Sequence, residues 1–371
     1  MADHEVIIAG AGPVGLMLGC LLAGRGIDVL VCDSGDGVDG RTRAIGLHPP
    51  GLAALDEAGV GEQIRQSAVR LEGAEVFARG RMLASVPLVG RREVLALPQG
   101  RTDAVLRGRL QQLGAAMRTG CEVRTVEQDG AVVRVQVVEE AMAKELTSSF
   151  FIAADGVRSI VRTQLGIPWL ARPGRARYSM MDIPDPDAAP VARLFCEPAG
   201  IVESFPLPAG ARRWVVRHTD DAAELSADSF VGEIDARTGI RITPPADCVP
   251  TGFTAKQHRA ERAVHVRIAL LGDAAHESSP IGGQGMNLGW VNARRLAERI
   301  QAALQSGGVL SGDDRRSARA VAAVQRRAHF YMSMGSPAAG VIPPARETLI
   351  RMLGSAPLRP AAAWLMTMGG L

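Results

Sequence analysis

Glu5-Val6-Ile7-Ile8-Ala9-Gly10-Ala11-Gly12-Pro13-Val14-Gly15 decides the fold of this chain. The apolar run 5–9 predicts a strand buried on both faces. The glycines that follow have separate duties. Gly10 lets the chain leave the strand in a tight turn. Gly12 lets the backbone approach a pyrophosphate, and Gly15 lets the next helix pack closely on the strand. Pro13 suits the first turn of a helix. Val14 continues it, and residues 14–24 read as that helix, stopped by Gly24 or Gly26. Its positive end then aims at phosphates. Residues 27–32 read as a second strand, closed by Asp33 about 20 residues after the glycines, where a carboxylate binds a ribose hydroxyl. Strand, helix and parallel strand make a Rossmann-type dinucleotide unit.

Outward from this unit the texture changes twice. Pro49-Pro50 opens a helix patterned by Leu52, Leu55, Val60 and Ile64. Short strand-like runs follow at 74–77 and 94–97, and helical periodicity returns over 103–113. Residues 122–126 and 132–137 alternate as antiparallel strands. Residues 172–258 are strand-like and rich in turns, with prolines at 184, 186, 190, 198, 206 and 208. A buried strand at 267–271 leads into Gly272, and a long helix is expected over 285–305. From 328 onward the helical pattern is broken by glycine and proline.

Composition narrows the function classes. A chain of 371 residues with 47% hydrophobic and 22% charged residues is ordinary for a globular protein of two or three domains. A net charge of +3 excludes a strong field for nucleic acid. Lys144 and Lys256 are the only lysines, so the basic residues are nearly all arginine. Cys20, Cys32, Cys121, Cys196 and Cys248 are scattered, without metal-ligand spacing, which fits reduced thiols and a cytoplasmic location. Residues 14–23 are apolar enough to mimic a signal peptide, but Asp3 and Glu5 stand where a basic region belongs. No run of 18 apolar residues occurs, so no spanning helix is expected.

Two later segments complete a set. Asp155-Gly156-Val157-Arg158-Ser159-Ile160-Val161-Arg162 follows an apolar strand and has the form D-G-x-x-S-x-x-R. Gly272-Asp273-Ala274-Ala275-His276 leads into Pro280-Ile281-Gly282-Gly283-Gln284-Gly285-Met286-Asn287. Taken in order with the first stretch, these segments resemble the FAD-dependent aromatic hydroxylase family, the single-component flavoprotein monooxygenases of p-hydroxybenzoate hydroxylase type. The resemblance runs to about residue 300. It implies a mixed α/β fold in which a Rossmann-type FAD-binding domain (1–70, 98–171 and 259–325) is interleaved with a sheet-rich substrate domain (71–97 and 172–258). A C-terminal helical segment covers 326–371.

The resemblance also implies cofactor contacts at Gly10, Gly12, Pro13, Val14, Gly15, Asp33 and Ser34. Arg41 and Arg43 would lie on the pyrophosphate side, and Gln99 close to the flavin. Asp155 and Gly156 would approach the FAD, and Gly272 and Asp273 the ribityl chain. Pro280, Gly283, Gly285, Met286 and Asn287 would lie beside the ring, whose pyrimidine edge a helix N-terminus stabilises on reduction. Asn292 departs from the family's usual Asp. His276 reads as a packed structural histidine and Trp290 as core.

The implied chemistry consumes NADPH or NADH and O₂, and hydroxylates an aromatic or polyketide-type substrate through a flavin hydroperoxide. Substrate contacts are expected at Tyr178, Met180, Met181, Phe195, Phe205 and Trp214, with His48, Arg217, His218 and Pro280 as catalytic candidates. Epoxidation, Baeyer–Villiger insertion or drug inactivation on the same scaffold remain alternatives, as does a non-catalytic binding protein. A flavin halogenase is disfavoured, because no lysine precedes Lys144 and neither Trp169 nor Trp214 lies in a Trp-x-Trp-x-Ile-Pro element. A monomer or homodimer is expected. The apolar tail 364–368 could cover the active site, pack on the core or make a dimer contact, with core packing the default.

Overall fold

The structure is a computed structural model that describes residues 2–35, 44–187, 189–219, 225–310, 312 and 315–371. Arg41 and Arg43 lie outside the described residues. The opening strand, His4–Ala9, sits mid-sheet, pairing in parallel with Val29–Cys32 on one side and Met142–Ala153 on the other. Ile268–Leu270 and Ala116–Arg118 extend the parallel core. Val6, Ile7 and Ile8 are fully buried, as expected of a strand covered on both faces. The helices Pro13–Ala23, Gln99–Gln112 and Gly285–Ser306 supply Leu16, Leu106 and Trp290 to the core on one face. The other face is covered by the antiparallel strands Cys121–Asp129 and Val132–Glu139, through Val126, Val133 and Val135.

A second sheet of seven strands runs Thr251–Ala255, Ala176–Pro184, Ala211–Arg217, Gly200–Leu207, Val191–Glu197, Gly73–Ala78, Arg81–Pro87. Every pairing in it is antiparallel except Val191–Glu197 on Gly73–Ala78. The region before residue 97 and the region after 172 therefore share one sheet. Val94–Ala96 pairs with Gly46–Leu47 and Val69–Leu71 in a separate three-stranded sheet.

Two expectations change and a third is filled in. The helix begun at Pro49 ends at Glu57, and Gly61–Ser67 is a separate helix. Gly59, at φ +80°, turns the chain between them in a conformation few other residues adopt. The strand-like region contains the helix Ala227–Thr238, capped by Ser226 and ended by Gly239 in the left-handed conformation. The C-terminal segment is helical as expected: Arg315–Met334 runs through Ala328, and Ile342–Gly354 and Arg359–Met366 follow.

Candidate active site

At the nucleotide end, close backbone approach explains the glycines. A Cβ on Gly15 would stand 2.0 Å from the Gly10 carbonyl oxygen, and one on Gly10 would stand 2.3 Å from that of Ala154. A Cβ on Gly12 would meet nothing within 4 Å. Gly12 is therefore free of any packing demand from the protein, and its openness is room beside the start of the first helix. That helix has no side-chain cap at Gly12, so no capping side chain occupies the space before its first turn. Asp33 accepts hydrogen bonds from the amides of Ala11 at 2.5 Å and Gly35 at 2.8 Å, which hold its carboxylate beside the glycine turn. Ser34 is exposed next to it.

The second and third segments converge on the first. Asp155 follows the strand at the Gly10 turn, and its Oδ1 is buried without a partner. Burial pushes this carboxyl upward, against hydrogen bonds from Ser159 and neighbouring amides. Ser159 caps a short helix by accepting from the Arg162 amide. Arg162 lies 3.8 Å over the Trp169 ring and donates to the carbonyls of Ala274 at 3.0 Å and Val157 at 2.8 Å. The arginine thus ties the second segment to the third. Val14 closes the triangle, because Cβ atoms on Gly272 and Gly289 would press against it at 3.2 and 2.5 Å. Asp273 is exposed at this junction.

His276 and Asn292 hydrogen-bond at 3.0 Å, both buried. Burial pushes His276 down to about 4, so it is neutral at physiological pH and packs as a structural residue. The Asn292 amide suits a neutral histidine. Trp290 is fully buried and donates to the Pro13 carbonyl at 2.9 Å, so it belongs to the core.

The loop Pro280–Gly283 meets the chain at Gly46–His48. The Asn287 side chain donates to the carbonyls of Gly46 and Gly283 at 2.9 Å each and accepts from the His48 amide at 2.9 Å. Its polar atoms are thereby used in joining the two loops. His48 Nε2 donates to the Gly282 carbonyl at 3.1 Å, which fixes the tautomer. Burial lowers this imidazole to about 4, partly offset by that bond. Met286 packs its side chain into the nucleotide-side core. Gln284, at the N-cap of the long helix, is buried beside the Tyr331 hydroxyl.

An apolar cavity of about 250 Å³ opens between this loop and the second sheet. His48, Pro280, Gly282 and Gly283 form one wall. The other follows strand alternation: Ala74 and Val76, Ala84 and Val86, Ala192, Leu194 and Cys196, Ile201, Glu203 and Phe205, Arg213 and Val215, and Met180. The C-terminal helices roof it with Phe330, Tyr331, Ile350, Leu353, Leu365 and Met366. The tail therefore covers the cavity in addition to packing on the core.

Met180, Phe205, His48 and Pro280 thus reach the cavity as expected. The remaining substrate and catalytic candidates are corrected. Phe195, Trp214 and Met181 face the opposite side of the sheet, packed with Phe77 and against Phe230 and Ile234 of the helix Ala227–Thr238. Each is one residue out of phase with the lining set, and a one-residue step reverses the face. Tyr178 is fully buried, stacked at 5.4 Å on Phe253, and does not line the cavity. Arg217 donates to the Met332 carbonyl at 2.5 Å, and His218 hydrogen-bonds Ser179 at 2.8 Å; neither lines the cavity. Gln99 also stays off it, at the start of its helix beside Ala44, with its side chain donating to Asp103 at 3.3 Å.

Sequence reasoning passed over Glu203 and Arg213. The available signal was a charged residue between Ile201 and Phe205, on an otherwise apolar strand face. Arg213 donates Nε and Nη2 to Asp182 at 2.6 and 2.8 Å.

A glycine turn with open space at Gly12, a helix start without a capping side chain and an orphaned carboxylate oxygen at Asp155 suit a large dinucleotide. The chain belongs to the FAD binding domain family, whose family model matches residues 3–327. It is 32% identical over 334 residues to the 12-dehydrotetracycline 5-monooxygenase/anhydrotetracycline 6-monooxygenase of Streptomyces rimosus, across 81% of this chain and 63% of that protein. It is 30% identical to a 3-(3-hydroxy-phenyl)propionate/3-hydroxycinnamic acid hydroxylase of Burkholderia vietnamiensis, across 88% of this chain and 60% of that one. The chain thus spans about three-fifths of the length of these curated relatives. The crystal structure of the p-nitrophenol 4-monooxygenase of Pseudomonas putida shares the fold, with a TM-score of 0.84 at 21% identity over 99% of both chains. Among the described residues no helix is long and apolar enough to cross a membrane, and no cluster of metal-ligating side chains occurs.

Proposed function

We propose that this chain is an FAD-dependent, NAD(P)H-consuming monooxygenase that hydroxylates an aromatic or polyketide-type ring. One observation carries the reading: the loop Pro280–Gly283 lines the apolar cavity and also leads into the N-terminus of the helix Gly285–Ser306. Bound FAD supplies the two-electron redox chemistry and dioxygen activation. The chain's own residues bind, orient and exclude water. Asp33 would hold the adenosine ribose and the amides after Gly12 the pyrophosphate. Asp155, Gly156, Gly272 and Asp273 would flank the ribityl chain. The amides of Gly285, Met286 and Asn287 would face the pyrimidine edge of the ring. Met180, Phe205 and the C-terminal helices would keep water from the reacting ring.

The relatives named for tetracycline-type polycycles and for hydroxyphenylpropionate support a ring substrate bearing a hydroxyl. We further propose the interleaved domain boundaries given above, a cytoplasmic location, and a monomer or homodimer without nucleic-acid partners. The test is isotopic. FAD-loaded protein with NADPH or NADH under ¹⁸O₂ should place one labelled atom in a hydroxylated polycyclic or simple phenol, read by mass. Consumption of reduced nicotinamide with no label in any ring product would sink the proposal, and the labelled position separates hydroxylation from epoxidation or ring insertion.

A further inference from the structure

Glu203 is out of place in its surroundings. It lies on the cavity face of Gly200–Leu207, between Ile201 and Phe205, and is 5% exposed. Among the described residues its carboxyl has neither a hydrogen-bond nor an ion-pair partner. The titratable and charged groups around it do not supply one. Arg213, on the adjacent strand, gives its guanidinium fork to Asp182. Tyr178 and Cys196, from two further strands, are each pushed upward in part by the Glu203 charge. Arg217 lies 5.9 Å over the Tyr178 ring and donates to Met332. Tyr331, on the roof, donates its hydroxyl to the Leu365 carbonyl. His48, on the far wall, is neutral and donates to Gly282.

A buried acid with no partner destabilises the protein that keeps it. Groups held at such a cost cluster where ligands bind. Its free acceptor oxygens belong to a cavity that is otherwise almost wholly apolar.

We propose that Glu203 selects the substrate: its carboxylate accepts a hydrogen bond from a hydroxyl on a neutral aromatic ring and turns away rings that carry a carboxylate. This rests on the ring-hydroxylase reading above and narrows it. A ring hydroxyl supplies a donor to this carboxylate, while a second carboxylate would face Glu203 with, among the described lining residues, only Arg213 cationic and that guanidinium already held by Asp182. Burial raises Glu203 to about 7, so the selection has a direction with pH. The charged form, and with it the exclusion of anions, is present above that value and fades below it.

The experiment measures binding of 2-naphthol, 2-methoxynaphthalene and 2-naphthoate to FAD-loaded protein by calorimetry. At about pH 8 the wild type should bind the naphthol roughly ten-fold or more tighter than its methyl ether, and the naphthoate weakest of the three. Glu203→Gln should strengthen naphthoate binding about ten-fold or more and keep the preference for the naphthol. Glu203→Leu should lose that preference. Lowering the pH to about 5 should restore naphthoate binding to the wild type and leave Glu203→Gln unchanged.

An identical ranking in all three proteins, or naphthoate binding by the wild type that ignores pH, overturns the assignment. If a ring is still oxygenated in that case, the hydroxylase reading survives without it. If the wild type binds none of the three probes, the ring-cavity reading falls and the assignment falls with it.

Discussion

The nucleotide end and the cavity end of this molecule are built from different materials. At the nucleotide end the contacts are made by the backbone of glycines: Gly10 against the Ala154 carbonyl, Gly15 against the Gly10 carbonyl, and Gly272 and Gly289 against the Val14 side chain. At the cavity end they are made by side chains on alternating strand positions, such as Ala192, Leu194 and Cys196 or Ile201, Glu203 and Phe205. Backbone contacts admit one residue type. An alternating apolar wall admits many, provided the phase is kept. The nucleotide end is therefore specified by identity and the cavity end by pattern.

The sharpest way to break this contrast is to add one methyl group. Gly15→Ala should unfold or severely destabilise the protein, by more than about 4 kcal/mol, because its Cβ has only 2.0 Å to a backbone oxygen. Gly12→Val should leave the melting temperature of the apoprotein nearly unchanged and abolish flavin retention, since nothing in the protein opposes its side chain. Equal loss of stability in both would contradict the separation of packing glycine from ligand glycine. Thermal melts beside visible absorbance decide it.

The two ends should also answer pH with opposite signs. His276, pushed down to about 4 from 6.5, contributes stability that is complete above pH 6.5 and is lost as pH falls toward 4. Glu203, pushed up to about 7 from 4.5, acts in reverse: its stability is present below pH 4.5 and is lost as pH rises through 7. Each swing is at most a few kcal/mol. Denaturant titrations of Glu203→Gln should show a gain over wild type that grows from about pH 4.5 to 7. A gain independent of pH would remove the buried charge from the account.

The loop junction should show a smaller effect. Asn287→Leu removes three hydrogen bonds between the Gly46–His48 segment and the Pro280–Gly283 loop. A loss of roughly 2–4 kcal/mol and a shifted flavin spectrum are expected. An unchanged spectrum would mean the two loops hold their places independently. The smallest effect belongs to Trp364, half exposed in the C-terminal segment, with Arg327 4.8 Å over its ring. Trp364→Ala should cost about 1 kcal/mol or less, and a large loss would make the roof a stability element in its own right.

Legibility in the sequence followed the same division. Glycine chemistry is written residue by residue, so the strand, the turn, the first helix and Asp33 were readable from one short stretch. His276 and Trp290 were also readable, because a histidine or tryptophan amid small apolar residues packs. The cavity wall was harder. Tyr178, Phe195 and Trp214 attracted notice as aromatics, yet strand phase decides which side chains face inward, and phase depends on pairing with strands far away in the chain. Glu203 and Arg213 were overlooked because a charge in a strand-like run is most often solvated. The tail was legible as helical, with Gly335, Pro337 and Gly340 marking the break between its helices, but that these helices roof the cavity depends on contacts with strands far away in the chain.

The parallel pairing of Val191–Glu197 with Gly73–Ala78 bears on how the chain reaches this state. It joins segments about 120 residues apart, and the nucleotide sheet waits in turn for Ile268–Leu270. Neither sheet can close while the first half of the chain emerges from the ribosome. Contacts of such long range are slow to form. The early strands, Val6 to Ile8 among them, must stay sheltered from one another and from other chains until the later ones arrive.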